Sequence, residues 1–285
     1  MNVHEEALLF ASRAGALAGV LAIPEAPRRT GMVIVVGGPQ YRAGSHRQFV
    51  LLARAIAGEG FPVLRFDYRG MGDSPGERAD FCDAPPDIAA AVALLHDRLP
   101  GVEQVALWGL CDGASAALMS LEDRAIPRIA GLCLANPWVR SEASLARTHV
   151  KHYYRERLRQ KAFWLKLLRG DGMLRAAAGL WRNLLAMTGR GQDTPDGGLL
   201  MFQARMARSW STFPGRILLL LSGQDFTAKE FLEYAAREPA WAGLLQRATV
   251  TRQDFPDADH TFSNRQWRGE VEAATVRWLL ALDQR

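Results

Sequence analysis

The tightest constraint on this chain is a five-residue turn, Gly109-Leu110-Cys111-Asp112-Gly113. Val105, Ala106, Leu107 and Trp108 precede it as a short apolar run suited to a buried strand. Ala114, Ala116, Ala117, Leu118 and Met119 follow it and are good helix formers. Together they predict strand, tight turn and helix, the G-x-S-x-G layout of a nucleophile elbow with sulfur in place of oxygen. The central residue of such an elbow is held in a strained backbone conformation that lifts its side chain off the sheet. Residues two positions away must be very small because strand and helix nearly touch, and Gly109 and Gly113 meet that need. Cys111 then sits at the amino end of a helix, where the helix field and unpaired N–H groups favour a thiolate. The Asp112 N–H points at the same spot, in position to hold an oxyanion. Its carboxylate is a puzzle, because a negative charge there disfavours an anionic intermediate unless it points elsewhere. A small buried cysteine in an ordinary turn would carry the same five residues, so the decision rests on partners elsewhere.

Before the elbow, residues 5–11 and 16–23, joined by Ser12-Arg13-Ala14-Gly15, predict a hairpin. A strand over Met32–Val36 runs into Gly37-Gly38-Pro39-Gln40-Tyr41-Arg42. In folds built on such an elbow this loop supplies a second oxyanion donor. Pro39 has no N–H, so Gln40 is the candidate, against a plain Gly-Pro turn. An amphipathic helix is expected over 46–58 and a strand over 62–66. Asp67-Tyr68-Arg69-Gly70-Met71-Gly72-Asp73-Ser74 follows, with Asp67 and Arg69 expected to brace the loops near the elbow. Ser74 lacks a strand-turn-helix setting and is not read as a nucleophile. A helix over 83–98 carries Pro85 and Pro86 near its start and His96 on its surface.

After the elbow helix comes an apolar strand over 129–135, with Cys133 in the core. The alternation then stops. Residues 138–209 show no strand pattern, only amphipathic helix, and Val139 to Arg208 holds 14 Lys and Arg against 5 Asp and Glu. With a whole-chain charge of +5, the rest of the molecule is acidic at −4 (5 − 9). The strand rhythm resumes over 216–221, leading to Asp225, then a helix over 228–236 and a last strand over 248–251. Asp254-Phe255-Pro256-Asp257-Ala258-Asp259-His260 and a closing helix over 266–282 complete the chain.

A thiol nucleophile needs a base to take its proton and return it to the leaving group. Of six histidines, His260 alone falls in a loop after the last strand. Asp225, just past the preceding strand, is placed to hold the imidazole in the useful tautomer. Asp257 and Asp259 are nearer in sequence, but side chains so close along the chain rarely reach the far ring nitrogen. The order Cys111, Asp225, His260 is the order of nucleophile, acid and base in α/β-hydrolases. The expected fold class is therefore α/β: a mostly parallel sheet flanked by helices, with residues 1–137 and 210–285 as core and 138–209 as a helical basic lid insertion.

The core resembles the serine-aminopeptidase and monoacylglycerol-lipase branch of the α/β-hydrolases. More narrowly, Gly38-Pro39-Gln40-Tyr41-Arg42, Phe66-Asp67-Tyr68-Arg69-Gly70-Met71-Gly72-Asp73-Ser74 and Gly109-Leu110-Cys111-Asp112-Gly113 resemble the exosortase A system-associated hydrolase family, type 1. That resemblance implies a hydrolase encoded beside exopolysaccharide and protein-sorting genes in Gram-negative bacteria, without naming a substrate. The Cys-His-Asp choice also resembles dienelactone hydrolase and certain acyl-CoA transferases.

Cysteine narrows the chemistry: a thiolate attacks esters and thioesters readily, but leaves a tetrahedral intermediate more easily than an amine does. The leading expectation is hydrolysis of a small-molecule, lipid or glycan acyl ester or thioester through an acyl-Cys111 intermediate. The alternative is acyl transfer from a thioester to a glycan, lipid or amine acceptor. A third is a non-catalytic module, in which the basic insertion with Phe163, Trp164 and Trp181 lies on an anionic membrane surface. No nucleic-acid motif, phosphate loop or metal spacing occurs, so no nucleic-acid partner, cofactor or metal is expected. The acidic amino terminus and three cysteines, Cys82, Cys111 and Cys133, without zinc spacing point to a reduced, cytoplasmic setting, at the inner face of the inner membrane if the insertion touches lipid.

Overall fold

The computed structural model describes residues 2–13, 15–38, 40–78, 80–122, 126–140 and 201–284. The predicted hairpin is β1 (Val3–Ser12) and β2 (Gly15–Pro24), with Ser12 opposite Gly15. β2 pairs antiparallel with β4 (Val63–Phe66). Every further pairing is parallel: β4 with β3 (Thr30–Val35), then β5 (Gln104–Leu110), β6 (Ile129–Ala135), β7 (Arg216–Ser222) and β8 (Val250–Phe255) in succession. The strand order is β1-β2-β4-β3-β5-β6-β7-β8.

Six described α-helices flank this sheet: α1 (Gln48–Gly58), α2 (Pro85–Arg98), α3 (Asp112–Met119), α4 (Phe202–Thr212), α5 (Phe226–Arg237) and α6 (Arg265–Asp283). Side chains alternate across a strand, and β3 shows the consequence. Met32 and Ile34 join Phe49, Ile56, Trp278 and Leu279 of α1 and α6 in one apolar layer. Val33 and Val35 join Ile88, Leu95, Leu118 and Trp210 of α2, α3 and α4 in the other. A parallel sheet covered on both faces needs apolar residues at every position, which is why β3, β5, β6 and β7 read as unbroken apolar runs.

Several expectations need correction. α1 begins at Gln48, not 46, because His46 and Arg47 take positive φ (52° and 59°) and form a separate 3-10 turn, Ser45–Arg47. Apolar period alone cannot register that break. β8 continues to Phe255; its exposed Thr251, Arg252 and Asp254 hide an edge strand in a polar stretch. His96 is half-buried, its Nδ1 lying 3.0 Å from the Val102 carbonyl oxygen. Met1–Val139 and Leu200–Arg285 form one compact unit, so α4, expected inside the insertion, packs with the core. There Trp210 is fully buried against Phe231 and Trp241, and its Nε1 donates to the Leu244 carbonyl at 3.2 Å. The remainder of the expected lid, including Phe163, Trp164 and Trp181, lies outside the described residues.

Candidate active site

In an open α/β sheet, functional loops gather beyond the carboxyl ends of the strands. Here those ends carry Gly37 and Gly38 after β3, Asp67 after β4, Cys111 after β5, Asn136 after β6, Asp225 after β7 and His260 after β8.

Cys111 takes φ 60° and ψ −126°, far from the allowed regions of an ordinary residue. Its surroundings over-determine that conformation. The Cys111 N–H donates to the Ala135 carbonyl at 2.9 Å, and its own carbonyl accepts from the N–H groups of Ala114, Ser115 and Trp138 at 3.1, 3.3 and 3.2 Å. The two glycines of the turn are required by contact. A Cβ on Gly109 would stand 2.5 Å from the Gly113 carbonyl oxygen, and one on Gly113 would stand 2.6 Å from that of Val35. Both distances are well below van der Waals contact, so no larger residue fits without moving strand or helix.

Asp225 is the N-cap of α5, its carboxylate accepting from the N–H groups of Thr227 and Ala228, each at 3.1 Å. Its Oδ2 lies 2.8 Å from His260 Nδ1. The Cys111 side chain is a second hydrogen-bonding partner of the imidazole. Burial opposes a charge on the ring, but the hydrogen bonds to Asp225 and Cys111 outweigh it and push His260 up to about 10. Asp259 is engaged with its own loop, accepting from the Thr261 and Ser263 N–H groups at 3.2 and 3.0 Å, and Asp257 is exposed. Asp225 Oδ2 and His260 Nδ1 are thus neighbours, and the Cys111 side chain acts on the same imidazole.

Asn136 is a hub that sequence reading missed. It is fully buried, with φ 45°. Its Nδ2 donates to Ser222 Oγ at 2.9 Å and to the His260 carbonyl at 3.0 Å, while its Oδ1 accepts from the Ser222 N–H at 2.8 Å. Ser222 Oγ in turn donates to the Asp259 carbonyl at 2.8 Å. The ends of β6 and β7 and the His260 loop are therefore one hydrogen-bonded unit. The available signal was an Asn, tolerant of the left-handed region, between an apolar strand and Pro137.

On the other side of the elbow, Gly37 packs so closely that an added Cβ would meet the Leu110 carbonyl oxygen at 2.1 Å. The Gly38 N–H donates to Asp112 Oδ1. Burial raises the Asp112 carboxyl, opposed by the backbone N–H groups of Gly38, Gly113 and Asp112 itself. The Gln40 side chain turns towards α1, its Oε1 accepting from the Ser45 N–H at 3.1 Å and from Gln48 Nε2 at 3.3 Å. Asp67 and Arg69 do brace this region, but through different partners. Asp67 binds the Arg42 guanidinium and accepts from the Asp73 N–H at 3.0 Å, whereas Arg69 Nε donates to Asp87 at 3.0 Å. Ser74 is buried between the Ala18 N–H and the Asp67 carbonyl, at 2.8 and 2.7 Å, with no access to substrate. Among the described residues no cluster of His, Cys, Asp and Glu is arranged to hold a metal ion.

Comparison with known proteins decides the kinship. Residues 32–274 match the profile of the alpha/beta hydrolase family. The chain belongs to that family. Within this α/β-hydrolase frame, 126 residues are 35% identical to Protein ABHD12B of Homo sapiens, covering 41% of this chain and 34% of that protein's length. The chain thus spans about a third of that relative. An esterase from Pyrococcus furiosus superposes with a TM-score of 0.65 at 15% identity, over 98% of this chain and 91% of its own. A dienelactone hydrolase from Anabaena variabilis gives 0.61 at 12% identity, over 98% of both chains. At such identities these solved structures speak for the fold alone. This α/β-hydrolase shares its fold with those enzymes, and among its described residues no helix is long and apolar enough to cross a membrane.

Proposed function

We propose that this α/β-hydrolase cleaves a carboxylic ester or thioester through an acyl-Cys111 intermediate, with His260 as base and acid and Asp225 as the group that orients it. One observation carries the reading: Cys111 sits at a positive-φ elbow within hydrogen-bonding reach of an imidazole whose Nδ1 is held 2.8 Å from a buried carboxylate. The thiolate is the attacking species. Its attack on the substrate carbonyl forms a carbon–sulfur bond and an oxyanion, for which the N–H groups of Asp112 and Gln40 are the proposed donors. The imidazolium gives its proton to the departing alkoxide or thiolate as the carbon–oxygen or carbon–sulfur bond breaks. Neutral His260 then takes a proton from water, which attacks the acyl-cysteine and releases the acid and Cys111. Holding the proton on His260 up to about pH 10 suits the first half of this cycle, where a leaving group must be protonated.

The finer kinship with the exosortase A system-associated hydrolases, type 1, rests on the motifs around Gln40, Asp67 and Cys111. A cytoplasmic setting and contact of the basic 138–209 segment with anionic lipid belong to the same proposal. Salt-sensitive pelleting with anionic vesicles is the expected outcome for that contact. The chemistry is tested by turnover of aryl esters and acyl-CoAs by the wild type and Cys111→Ala. Loss of all turnover in the variant is expected, and equal turnover would refute the nucleophile. Free acid formed without any added acceptor favours hydrolysis over acyl transfer.

A further inference from the structure

β8 closes one end of the sheet, and among the described residues no strand pairs with its outer side. Its pairing with β7 decides which backbone groups lie free there. The Thr249 carbonyl accepts from the Ile217 N–H at 2.9 Å and the Phe255 carbonyl from the Gly223 N–H at 2.8 Å, so the odd-numbered residues of β8 turn inward. Backbone groups alternate from side to side along a strand, which leaves those of Val250, Arg252 and Asp254 facing outward. The free run is bounded at both ends. The Val250 N–H already donates to the Arg247 carbonyl at 2.9 Å, and Pro256 has no N–H. Among the described residues of this edge, Arg252 and Asp254 keep both a donor and an acceptor for a neighbour.

A free edge is a template for a further strand, and charges or a proline usually blunt it. Here they act selectively towards a second copy laid antiparallel on β8. A register that sets Arg252 opposite Arg252, or Asp254 opposite Asp254, places like charges face to face, which is destabilising. The register with Gln253 on the twofold axis instead sets Arg252 opposite Asp254 twice. It also joins every free N–H and carbonyl of those two residues across the seam. Within one chain Arg252 Nε already lies 3.0 Å from both carboxylate oxygens of Asp254, and both side chains are exposed. Exchanging that exposed pair for one across the axis changes the energy little, so the charges choose the register rather than supply the attraction.

Beside β8, α6 leaves an open groove of about 670 Å³, lined by Gln253, Gln266, Gly269, Glu270, Ala273 and Arg277. The helical members recur every three or four residues and form one stripe, kept low in the middle by Gly269 and Ala273. A twofold axis normal to the sheet puts α6 of both copies on the same face, so the two grooves open onto each other beneath the joined strands.

We propose that this chain forms a twofold dimer by antiparallel β8–β8 pairing centred on Gln253, which joins two eight-stranded sheets into one. The pairing is closed, because each copy uses its only β8 edge. β8 leads directly into the His260 loop, so the seam lies along the strand that carries the imidazole.

Sedimentation of the full-length protein at micromolar concentration should show a dimer. Arg252→Asp and Asp254→Arg each set like charges across the axis and should each weaken dimerisation on the order of 100-fold. Mixing the two variants separates this from misfolding: the two acidic positions of one chain then face the two basic positions of the other, and a heterodimer should form. The register is read by Gln253→Cys. Opposed residues on the axis lie about 4.5 Å apart between Cα atoms, a span that a disulfide bridges. Under mild oxidation Gln253→Cys should cross-link about tenfold faster than Thr251→Cys, with the wild type giving the background of the native cysteines. A monomeric wild type, a dimer indifferent to both charge changes, a mixture that stays monomeric, or cross-linking no faster in Gln253→Cys would each overturn the proposal.

Discussion

On the side of the elbow facing β7 and β8, the polar groups around the imidazole are tied together. His260 Nδ1 meets Asp225, the His260 and Asp259 carbonyls meet Asn136 and Ser222, and the Asp259 carboxylate meets its own loop. On the side facing the β3 loop, the Tyr68 hydroxyl has no partner, and the half-buried Asp112 carboxyl is raised by desolvation. Both sides are built on the same sheet edge, so the fold does not explain the difference. Proton transfer needs a ring fixed to within a fraction of an ångström before substrate arrives. The tied side suits that task.

Substitutions on the tied side should therefore reach catalysis most strongly, and the largest effect belongs to Asp225→Asn. An amide at that position cannot stabilise the imidazolium, and loss of kcat by about 10³–10⁴-fold is expected. The same variant tests the electrostatics. The folded pKa of His260, about 10, stands above the value near 6.5 of an unfolded histidine. The stabilisation from the charged ring is therefore whole below about pH 6.5 and lost as the pH rises through about 10. Melting temperatures should decline over that window in the wild type and decline less in Asp225→Asn. A parallel decline in both would remove Asp225 as the partner that holds the charge.

Asn136→Ala comes next. It strands the buried Ser222 N–H and releases the His260 carbonyl, at a cost of about 1–3 kcal/mol in denaturant unfolding. Activity should fall by about 10- to 100-fold, chiefly in kcat, because the ring drifts while its substrate contacts persist. Unchanged kcat would mean that the His260 loop holds itself. Ser74→Ala should do least to the chemistry. It leaves the Ala18 N–H without its acceptor and costs about 1–2 kcal/mol of stability, yet kcat should stay within about twofold. A large loss of kcat would join Ser74 to the catalytic side and blur the contrast.

The tied side was also the more legible in sequence. Gly109, Gly113 and Cys111 declare themselves because close contact and positive φ restrict which residues are tolerated. Asp225 and His260 declare themselves by falling just past apolar strands. Asn136 did not, because an Asn before a proline looks like any turn, and the two partner residues of its side chain, Ser222 and His260, lie 86 and 124 positions away. Arg42 was missed as the partner of Asp67, since a basic residue in a loop has no periodicity to mark it. On the unpaired side, the puzzle of Asp112 was visible but not its resolution. Only the fold shows its Oδ1 turned to the Gly38 N–H and its carboxyl lining a cleft with Tyr68 and Asp80.

The central claim is a covalent bond to one sulfur, and rapid-quench mass spectrometry of the protein mixed with an activated aryl ester reads it directly. The expected result is a mass increase of one acyl group, mapped to the peptide holding Cys111, longer-lived when His260 is replaced by Ala and absent in Cys111→Ala. Steady turnover with no adduct on Cys111 in any variant, or an adduct mapped to a serine, would contradict it.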